Sequence, residues 1–308
     1  MTSANIFNSV TPSQLDVWIE QAIELSKQGT LPQYIPQLAL AQPECLAIAL
    51  SNISNINGST TTRGAIEQVF PLMSVIKPLV LLFLLETVGA ALVFNQVGME
   101  ASAKPFNDLP NLAVQKPPNP MVNSGAIALA GMLPGENSAV CYQNLCNWLN
   151  QVAGTKLFLD QAMLASVRSR PNQRNRLIAD QLEQYGDLES ASKALDTYNQ
   201  VCCLAGTVQD VARLGLVLAG ANAAIDRQNS QTVTAIMTTC GMYEASGSFA
   251  VQVGLPSKSG VSGVLLAVIP QQGAIACYSP PLDKIGNSIA GVFLVQQISQ
   301  ALQLSIFG

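Results

Sequence analysis

The feature that most constrains the fold is an apolar run from Pro78 to Leu85, which follows Ser74-Val75-Ile76-Lys77 and ends at Glu86. A membrane span needs about 20 apolar residues, so this run is too short to cross a bilayer. A helix that is apolar on every side must be covered by other elements. We therefore expect a helix over 74–88 at the centre of a large core, with Pro78 in its first turn, where its missing N–H costs little.

The elements around this helix predict a sheet that both ends of the chain build. An amphipathic helix between Thr11 and Gly29 precedes a strand over 46–53, and a last helix begins near Ser288. Three short apolar runs separated by Gly and Pro predict consecutive antiparallel strands beyond Gly241. These runs are 249–253, 264–269 and 274–278.

The middle of the chain is dominated by helical patterns, so we predict an α/β (α+β) fold in which a helical lobe is inserted into a mostly antiparallel sheet flanked by helices. Thr207 and Asp210 predict a capping box at the start of one of these helices. Two segments are expected to lack regular structure: the turn 52–62 and the Pro/Asn-rich loop 105–120. Further helices are expected at 123–133 and 142–152. We predict one domain over 1–308, with a sheet lobe from 1–70 and 235–308 and a helical lobe from 71–234.

The charge balance narrows the class of partner. Hydrophobic residues make up 49% of the chain and charged residues 11%, with a net charge of −4. Without a Lys/Arg cluster, binding to a nucleic-acid backbone is not expected. A composition with so little charge leaves apolar surface that must be covered, so we expect a subunit interface. The N-terminus has no basic and apolar leader pattern, and the seven cysteines contain no CxxC pair, so we expect a cytoplasmic protein with reduced thiols.

Ser74 and Lys77 form an S-x-x-K pattern that is typical of serine acyl-transfer enzymes in which lysine replaces histidine. The chain contains no histidine, which excludes Ser-His-Asp catalysis and imidazole-based zinc sites. Burial at the start of the central helix would lower the pKa of Lys77 and make it a base. The plain alternative is an N-cap serine with a surface lysine. A second S-x-x-K, Ser190 to Lys193, lies in a polar stretch and is interpreted as a solvated helix face.

Lys258-Ser259-Gly260 occurs once, near the C-terminus. A second lysine close to Lys77 would depress the pKa of Lys77 further by repulsion between like charges. Gly260 would let a substrate approach the backbone closely. The plain alternative is a turn between two strands.

Taken together, long ordered blocks of the chain resemble the serine-dependent glutaminase family, which shares the fold of β-lactamases and DD-peptidases (penicillin-binding proteins). The resemblance covers nearly the whole chain from about residue 11. The matching blocks are Tyr34-Ile35-Pro36; Phe70 to Lys77; Pro105-Phe106-Asn107; Asn119 to Ile127; Asn175-Arg176; Tyr198; Gly241 to Gly247; Val253 to Val261; Ser279 to Asp283; and Gly286-Asn287-Ser288.

This resemblance implies a role for each candidate residue. Ser74 attacks the γ-carboxamide carbon of glutamine, Lys77 takes its proton, and the N–H groups of Ser74 and Val261 form the oxyanion hole. Tyr243 relays a proton to the leaving ammonia, and Lys258 belongs to the same catalytic group. The amino-acid end of the substrate is expected to contact Tyr34, Asn123, Asn175 and Tyr198. The resemblance implies neither a metal nor an organic cofactor, and a homodimer or homotetramer as the assembly.

The chain departs from the family at one position that concerns the substrate. The family has a glutamate seven residues before the asparagine matched by Asn175, and Arg168 occupies that position here. Two like charges 4 Å apart repel by about 4 kcal/mol at an effective dielectric of 20, so an arginine facing the α-ammonium would weaken glutamine binding. Alternatively, Arg168 turns outward and another group compensates. Met73 and Val201-Cys202-Cys203 also replace family residues.

Three functions therefore remain open at the level of the sequence. The first is hydrolysis of L-glutamine to L-glutamate and ammonia through a serine acyl-enzyme. The second is a serine amidohydrolase of the same fold with another substrate, including a β-lactam-acylated enzyme, although neither an S-D-N motif nor an export signal is present. The third is a catalytically silent homologue that binds a metabolite.

Overall fold

The computed structural model describes residues 6–53, 60–102, 116–170 and 172–308. At its centre lies the predicted helix, α2 (Lys77–Thr87), which follows a single 3-10 turn, Met73–Ile76. Every residue from Lys77 to Leu85 is buried, and Pro78 lies in the first turn as expected. Each fully buried leucine of this helix contributes about 2 kcal/mol of hydrophobic stabilisation, so α2 anchors the core around it.

The remaining elements follow in chain order. The other helices are α1 (Pro12–Ser26), α3 (Ala90–Gln96), α4 (Asn123–Gly131), α5 (Ser138–Ala153), α6 (Gln161–Ser169), α7 (Gln173–Gln184), α8 (Ala191–Cys202), α9 (Val208–Leu218), α10 (Arg227–Cys240), α11 (Ser246–Gln252) and α12 (Ile289–Leu302). The strands are β1 (Ala47–Asn52), β2 (Thr61–Gly64), β3 (Phe70–Pro71), β4 (Phe158–Leu159), β5 (Leu204–Gly206), β6 (Ser257–Ser259), β7 (Val264–Ile269) and β8 (Gly273–Tyr278).

The described strands form a five-stranded antiparallel sheet in the order β2-β1-β8-β7-β6 and a small second sheet in the order β3-β5-β4. The larger sheet confirms the prediction that both chain ends contribute, because β1 pairs with β8 from Ala47–Tyr278 to Asn52–Gly273. Lys258 on the edge strand β6 lies opposite Leu266 of β7. Lys258 therefore lies on the edge strand at one side of the five-stranded sheet.

The two faces of the larger sheet pack against different layers of helices. Ile48, Leu265 and Ile275 point to the side that α1 and α12 cover. Alternate residues such as Ala49 and Leu266 point to the other side, where α9 packs and the core continues to α2. Both faces of the sheet are therefore covered by helices. The mixed α/β class with an antiparallel sheet is confirmed.

Several local predictions are confirmed. Thr11 caps α1 with its side chain, Ser288 caps α12, and Thr207 and Asp210 form the capping box at the start of α9. The predicted helices at 123–133 and 142–152 correspond to α4 and α5. All seven cysteines are free thiols, and all but Cys45 are buried.

One predicted strand is wrong. Residues 249–252 lie in α11 and Val253 is its C-cap; Phe249 and Val253 are buried, while Val251 is 88% exposed. A strand would place all three on one face, whereas a spacing of four on one side is helical. The predicted turn 52–62 and loop 105–120 fall largely on 54–59 and 103–115, outside the described residues.

Within the described part of the chain, no helix combines the length and apolarity needed to cross a membrane. The boundaries of the two lobes, the cytoplasmic location and the homodimer or homotetramer stay predictions.

Candidate active site

Ser74 lies in the 3-10 turn that precedes α2, and it is buried (6% exposed). In a 3-10 turn, residues three apart eclipse each other, so Ser74 and Lys77 project from the same side. The residue before Ser74, Met73, has a φ of 46°. This left-handed conformation is strained for a side chain other than glycine and marks the kind of turn found at functional sites.

Gly260 packs against this turn rather than leaving room for a substrate. A Cβ at position 260 would lie 2.8 Å from the carbonyl oxygen of Leu72 and 3.4 Å from Cγ2 of Val75. The group that comes close to Gly260 is therefore the turn 72–75 of the protein, and not a substrate. It joins the end of β6 to the turn that carries Ser74.

Lys77 is buried (2% exposed) and donates hydrogen bonds to Met121 O at 3.0 Å and to Asn123 Oδ1 at 2.8 Å. Burial lowers the pKa of Lys77 from its usual value of 10.5 to about 8. Its ammonium also lies 5.9 Å from the centre of the Tyr198 ring. The site therefore contains an amine that is partly neutral near physiological pH.

The Asn123 side chain forms hydrogen bonds with three other predicted site residues. Its Oδ1 accepts from Lys77 and from the Tyr198 hydroxyl at 3.1 Å, and its Nδ2 donates to Asn175 Oδ1 at 2.9 Å. These partners assign the orientation of the Asn123 amide. The neighbouring Asn119 fixes the approach to α4, because its Oδ1 accepts from Met121 N and Val122 N.

Tyr243 lies on the other side of Ser74. Its hydroxyl donates to Ser259 O at 3.1 Å and is hydrogen-bonded to the Ser74 side chain. Burial raises the pKa of Tyr243 well above its usual range, so the phenol stays protonated. Tyr243 also has a left-handed backbone, with a φ of 56°.

Lys258 is fully buried behind Tyr243. Its Nζ donates to Ser259 O at 2.7 Å and lies 4.3 Å from the centre of the Tyr243 ring. Burial, followed by repulsion from Lys77, lowers the pKa of Lys258 well below its usual range. The expected repulsion therefore lowers the pKa of Lys258 rather than that of Lys77, for which burial is the cause.

A cavity of about 760 Å³ opens beside Ser74. Of the residues predicted to form the site, seven line it: Tyr34, Ser74, Asn123, Arg168, Asn175, Tyr198 and Val261. Lys77, Tyr243 and Lys258 lie outside that wall, connected to it by the hydrogen bonds and ring contacts above. Tyr34 is half-exposed at the rim of the cavity. The structure thus brings all ten predicted residues to one region.

The two residues whose N–H groups are predicted to form the oxyanion hole both line the cavity. The N–H of Ser74 lies in the first turn of its 3-10 segment, where it has no partner within the turn. Val261 follows Gly260, and its own backbone is held by the turn in which Gly260 N bonds to Val264 O at 2.9 Å. Ser74 and Val261 both line the cavity.

Arg168 lines the cavity, but its charge is paired. Its Nη2 lies 2.6 Å and its Nε 3.1 Å from Oδ1 of Asp196, and the arginine is half-exposed. Asp196 Oδ2 accepts from Ser138 Oγ and from Gln200 Nε2, each at 2.7 Å. Arg168 therefore neither turns away from the cavity nor presents an isolated charge to it.

Asp196 and Cys202 line the cavity without having been predicted as site residues. The Cys202 thiol is hydrogen-bonded to Tyr198, and burial raises its pKa to about 11, so it stays protonated. The spacing of four between Tyr198 and Cys202 could have suggested a shared helix face. Asp196 gives no such signal, because its partner Arg168 lies 28 residues earlier in the chain. The second S-x-x-K is a helix cap, because Ser190 accepts from Lys193 N at the start of α8.

No cluster of side chains suited to a metal ion occurs among the residues that the structure describes. A buried hydroxyl, two buried lysines and a protonated phenol form a set that fits acyl transfer by a serine nucleophile.

Comparison with known proteins points to one family. A family model described as Glutaminase matches residues 29–307. A curated glutaminase from Synechocystis sp. is 40% identical over 304 residues, which cover 97% of this chain and 92% of that protein. A solved structure described as a probable glutaminase, ybaS, has a TM-score of 0.87 at 32% identity, over 96% of this chain and 99% of that one.

A second solved structure is described as the covalent complex between the Bacillus subtilis glutaminase YbgJ and 5-oxo-L-norleucine, formed by reaction with 6-diazo-5-oxo-L-norleucine. Its TM-score is 0.85 at 28% identity, and the match covers 96% of this chain and 99% of that one.

Proposed function

The chain belongs to the glutaminase family, and from this premise we propose that it hydrolyses L-glutamine to L-glutamate and ammonia through an ester on Ser74. Membership of this family makes it an amidohydrolase, so the catalytically silent alternative is not retained. The observation that carries the proposal is the arrangement at the cavity, where Ser74 hydrogen-bonds to Tyr243 while Lys77 is held by Asn123. The covalent analogue complex of the similar Bacillus subtilis protein supports a covalent step.

Lys77 acts as the base in this proposal. A neutral amine has two N–H bonds and one lone pair, and the two N–H bonds have acceptors in Met121 O and Asn123 Oδ1. The lone pair is then the position left to accept the Ser74 proton. A pKa of about 8 leaves a useful fraction of Lys77 neutral near pH 7.5.

The Ser74 oxygen attacks the carboxamide carbon, and the carbonyl oxygen becomes an oxyanion. The N–H groups of Ser74 and Val261 stabilise this charge, and such donors contribute about 3 kcal/mol each to the transition state. The C–N bond then breaks, and the leaving nitrogen takes the hydroxyl proton of Tyr243. Lys77 passes the proton that it took from Ser74 to the Tyr243 oxygen. Ammonia leaves, and Ser74 carries a glutamyl ester.

Water completes the cycle. It attacks the ester carbon while Lys77 again takes a proton, and that proton returns to the Ser74 oxygen as glutamate departs. Lys258 is neutral in this scheme because it is buried with another lysine nearby. Its contacts with Ser259 O and the Tyr243 ring support a role in holding Tyr243 for the proton transfer.

The amino-acid end of glutamine is proposed to bind at the wall formed by Tyr34, Asn123, Asn175 and Tyr198. Asn175 Oδ1 is used by Asn123, so its Nδ2 remains to donate to the substrate carboxylate. Its backbone is fixed because Asn175 N donates to the cap residue Asn172 at 3.2 Å.

A second candidate substrate is a terminal amide that has the carboxylate but no α-ammonium. The observation that favours it is the state of Asp196, whose two oxygens already accept from Arg168, Ser138 and Gln200. An ammonium placed there would compete with the guanidinium of Arg168. Because the guanidinium is paired, however, the repulsion of about 4 kcal/mol estimated for an isolated charge is an upper limit.

Ammonia release from glutamine by the wild type and by Ser74→Ala tests the main proposal. The wild type should release ammonia, and Ser74→Ala should lose at least about a thousandfold in kcat, because removal of a nucleophile leaves only binding and the oxyanion hole. The matched control is Ser190→Ala, the serine of the second S-x-x-K, which should keep wild-type activity. A Ser74→Ala protein that works at full rate would refute the mechanism.

Arg168→Glu and the neutral Arg168→Gln separate the two substrate classes. Each is assayed with glutamine and with glutaramate, which lacks the α-amine. If Arg168 opposes the α-ammonium, Arg168→Glu should hydrolyse glutamine faster and glutaramate more slowly than the wild type. A high wild-type rate on glutamine with no gain in either variant would end the second candidate and leave the first intact.

A further inference from the structure

The loop 283–287 is folded around a single carboxylate. Asp283 Oδ1 accepts from three consecutive backbone N–H groups: those of Ile285 at 2.8 Å, Gly286 at 2.8 Å and Asn287 at 2.9 Å. The Asp283 N–H closes the loop by donating to Asn287 O at 2.8 Å. Hydrogen bonds to an ionised acceptor are roughly twice as strong as neutral ones, so this carboxylate determines the loop conformation.

The loop touches the residue that the mechanism uses as a proton donor. A Cβ built on Gly286 would lie 3.8 Å from Cε2 of Tyr243, so the loop backbone lies about one methyl group away from van der Waals contact with the ring. Gly286 has a φ of 107°, which side-chain-bearing residues rarely adopt. The buried Asn287 reaches the carbonyl of Met242, with Nδ2 at 3.5 Å. The loop therefore lies beside the ring of Tyr243 and donates a hydrogen bond to the preceding peptide.

Tyr243 needs such support because its backbone is strained. A non-glycine residue in the left-handed region is strained and persists only where the surroundings hold it. On one side, Ser246 Oγ accepts from Met242 N at 3.0 Å and donates to Tyr243 O at 2.7 Å. On the other side, the Asp283 loop lies beside the ring and donates to the Met242 carbonyl through Asn287.

We propose that Asp283 is a positioning residue for the reaction, acting through its loop to hold the Tyr243 hydroxyl where the leaving ammonia takes its proton. This inference rests on the proposed function. Asp283 is not among the residues that line the cavity, so its effect passes through Tyr243 rather than through the substrate. The Val261 side chain also lies beside Gly286, but its backbone belongs to the separate turn that Gly260 N closes by donating to Val264 O.

The test compares Asp283→Ala and Asp283→Asn on two substrates with different leaving groups. Glutamine loses ammonia, which requires a proton, whereas the γ-methyl thioester of L-glutamate loses a thiolate, which does not. Asp283→Ala should lower kcat/KM for glutamine by about tenfold to a hundredfold, as small misplacements of reacting groups do. The same variant should lower kcat/KM for the thioester by less than about threefold, because the nucleophile and the oxyanion hole are untouched. Asp283→Asn keeps an acceptor oxygen and should recover most of the glutamine activity.

Asp226→Ala is the matched control, since Asp226 also caps a backbone N–H, that of Gln228 at 2.8 Å, at the start of α10. Thermal unfolding of the variants shows whether each loses a similar amount of stability, and only Asp283→Ala should lose activity. Equal losses on the amide and the thioester, or no loss on the amide, would overturn the proposal. A wild type that hydrolyses neither substrate would instead refute the proposed function.

Discussion

The pKa of Lys77 offers the sharpest test of the mechanism, because a single substitution should move it. Burial lowers this pKa from 10.5 to about 8. At pH 7.5, about a quarter of such an amine is neutral, against about one in a thousand for an unperturbed lysine. The difference corresponds to about 3 kcal/mol in the availability of the base.

Asn123→Asp replaces the amide oxygen 2.8 Å from Lys77 Nζ with a carboxylate of nearly the same shape. At an effective dielectric of 20, two opposite charges at that distance attract by about 6 kcal/mol, which more than offsets the desolvation of the ammonium. The pKa of Lys77 should therefore rise to at least its unperturbed value. Since only the neutral amine accepts the Ser74 proton, the activity should shift to alkaline pH.

The assay is the rate of inactivation by 6-diazo-5-oxo-L-norleucine between pH 6 and 10, which reports attack by Ser74. The wild-type rate should rise tenfold per pH unit below about 8 and then level off. In Asn123→Asp the inflection should move beyond pH 10, so the rate should still be rising at the alkaline end of the range. Asn123→Ala removes the amide without adding a charge and serves as the control for lost binding. A flat wild-type profile, or an inflection that stays in place in Asn123→Asp, would refute the reasoning.

Two further predictions follow from packing and capping. Gly260→Ala places a methyl group 2.8 Å from the Leu72 carbonyl, so the Ser74 turn must shift, and kcat should fall by about tenfold or more in the ammonia assay. Asp210→Ala removes the carboxylate that bonds to Thr207 and to Lys156 N. Urea unfolding should show a loss of about 1–2 kcal/mol, with kcat unchanged at 25 °C; a lower kcat in the still-folded variant would contradict the assignment of Asp210 to stability alone.

Elements with strong local signals could be predicted from the sequence. The apolar run before Glu86, the cap at Ser288 and the Thr207–Asp210 box each determine structure through residues that are close in the chain. Residues 249–253 were predicted wrongly because a short apolar run fits a strand and a buried helix equally well. Only the exposure of Val251, a tertiary property, distinguishes the two.

The site could be predicted only in part for the same reason. The spacing of Ser74 and Lys77 is local, and the matching blocks supplied the other candidates. The partners that determine their chemistry are distant in the chain: Asn123 lies 46 residues from Lys77, and Ser259 lies 16 from Tyr243. The pairing of Arg168 with Asp196 has no local signal either, so its charge could not be judged from the sequence.

The chain contains no histidine, and in the proposed mechanism it obtains its base near neutral pH by removing water from lysine. Lys77 and Lys258 are both buried, and desolvation is the first cause of the lowered pKa of each. Packing around α2 and β6 therefore sets the basicity of the site as well as the stability of the fold. It follows that a core substitution that admits water beside Lys77 should raise its pKa and reduce activity at neutral pH, even when no residue that touches the substrate has changed.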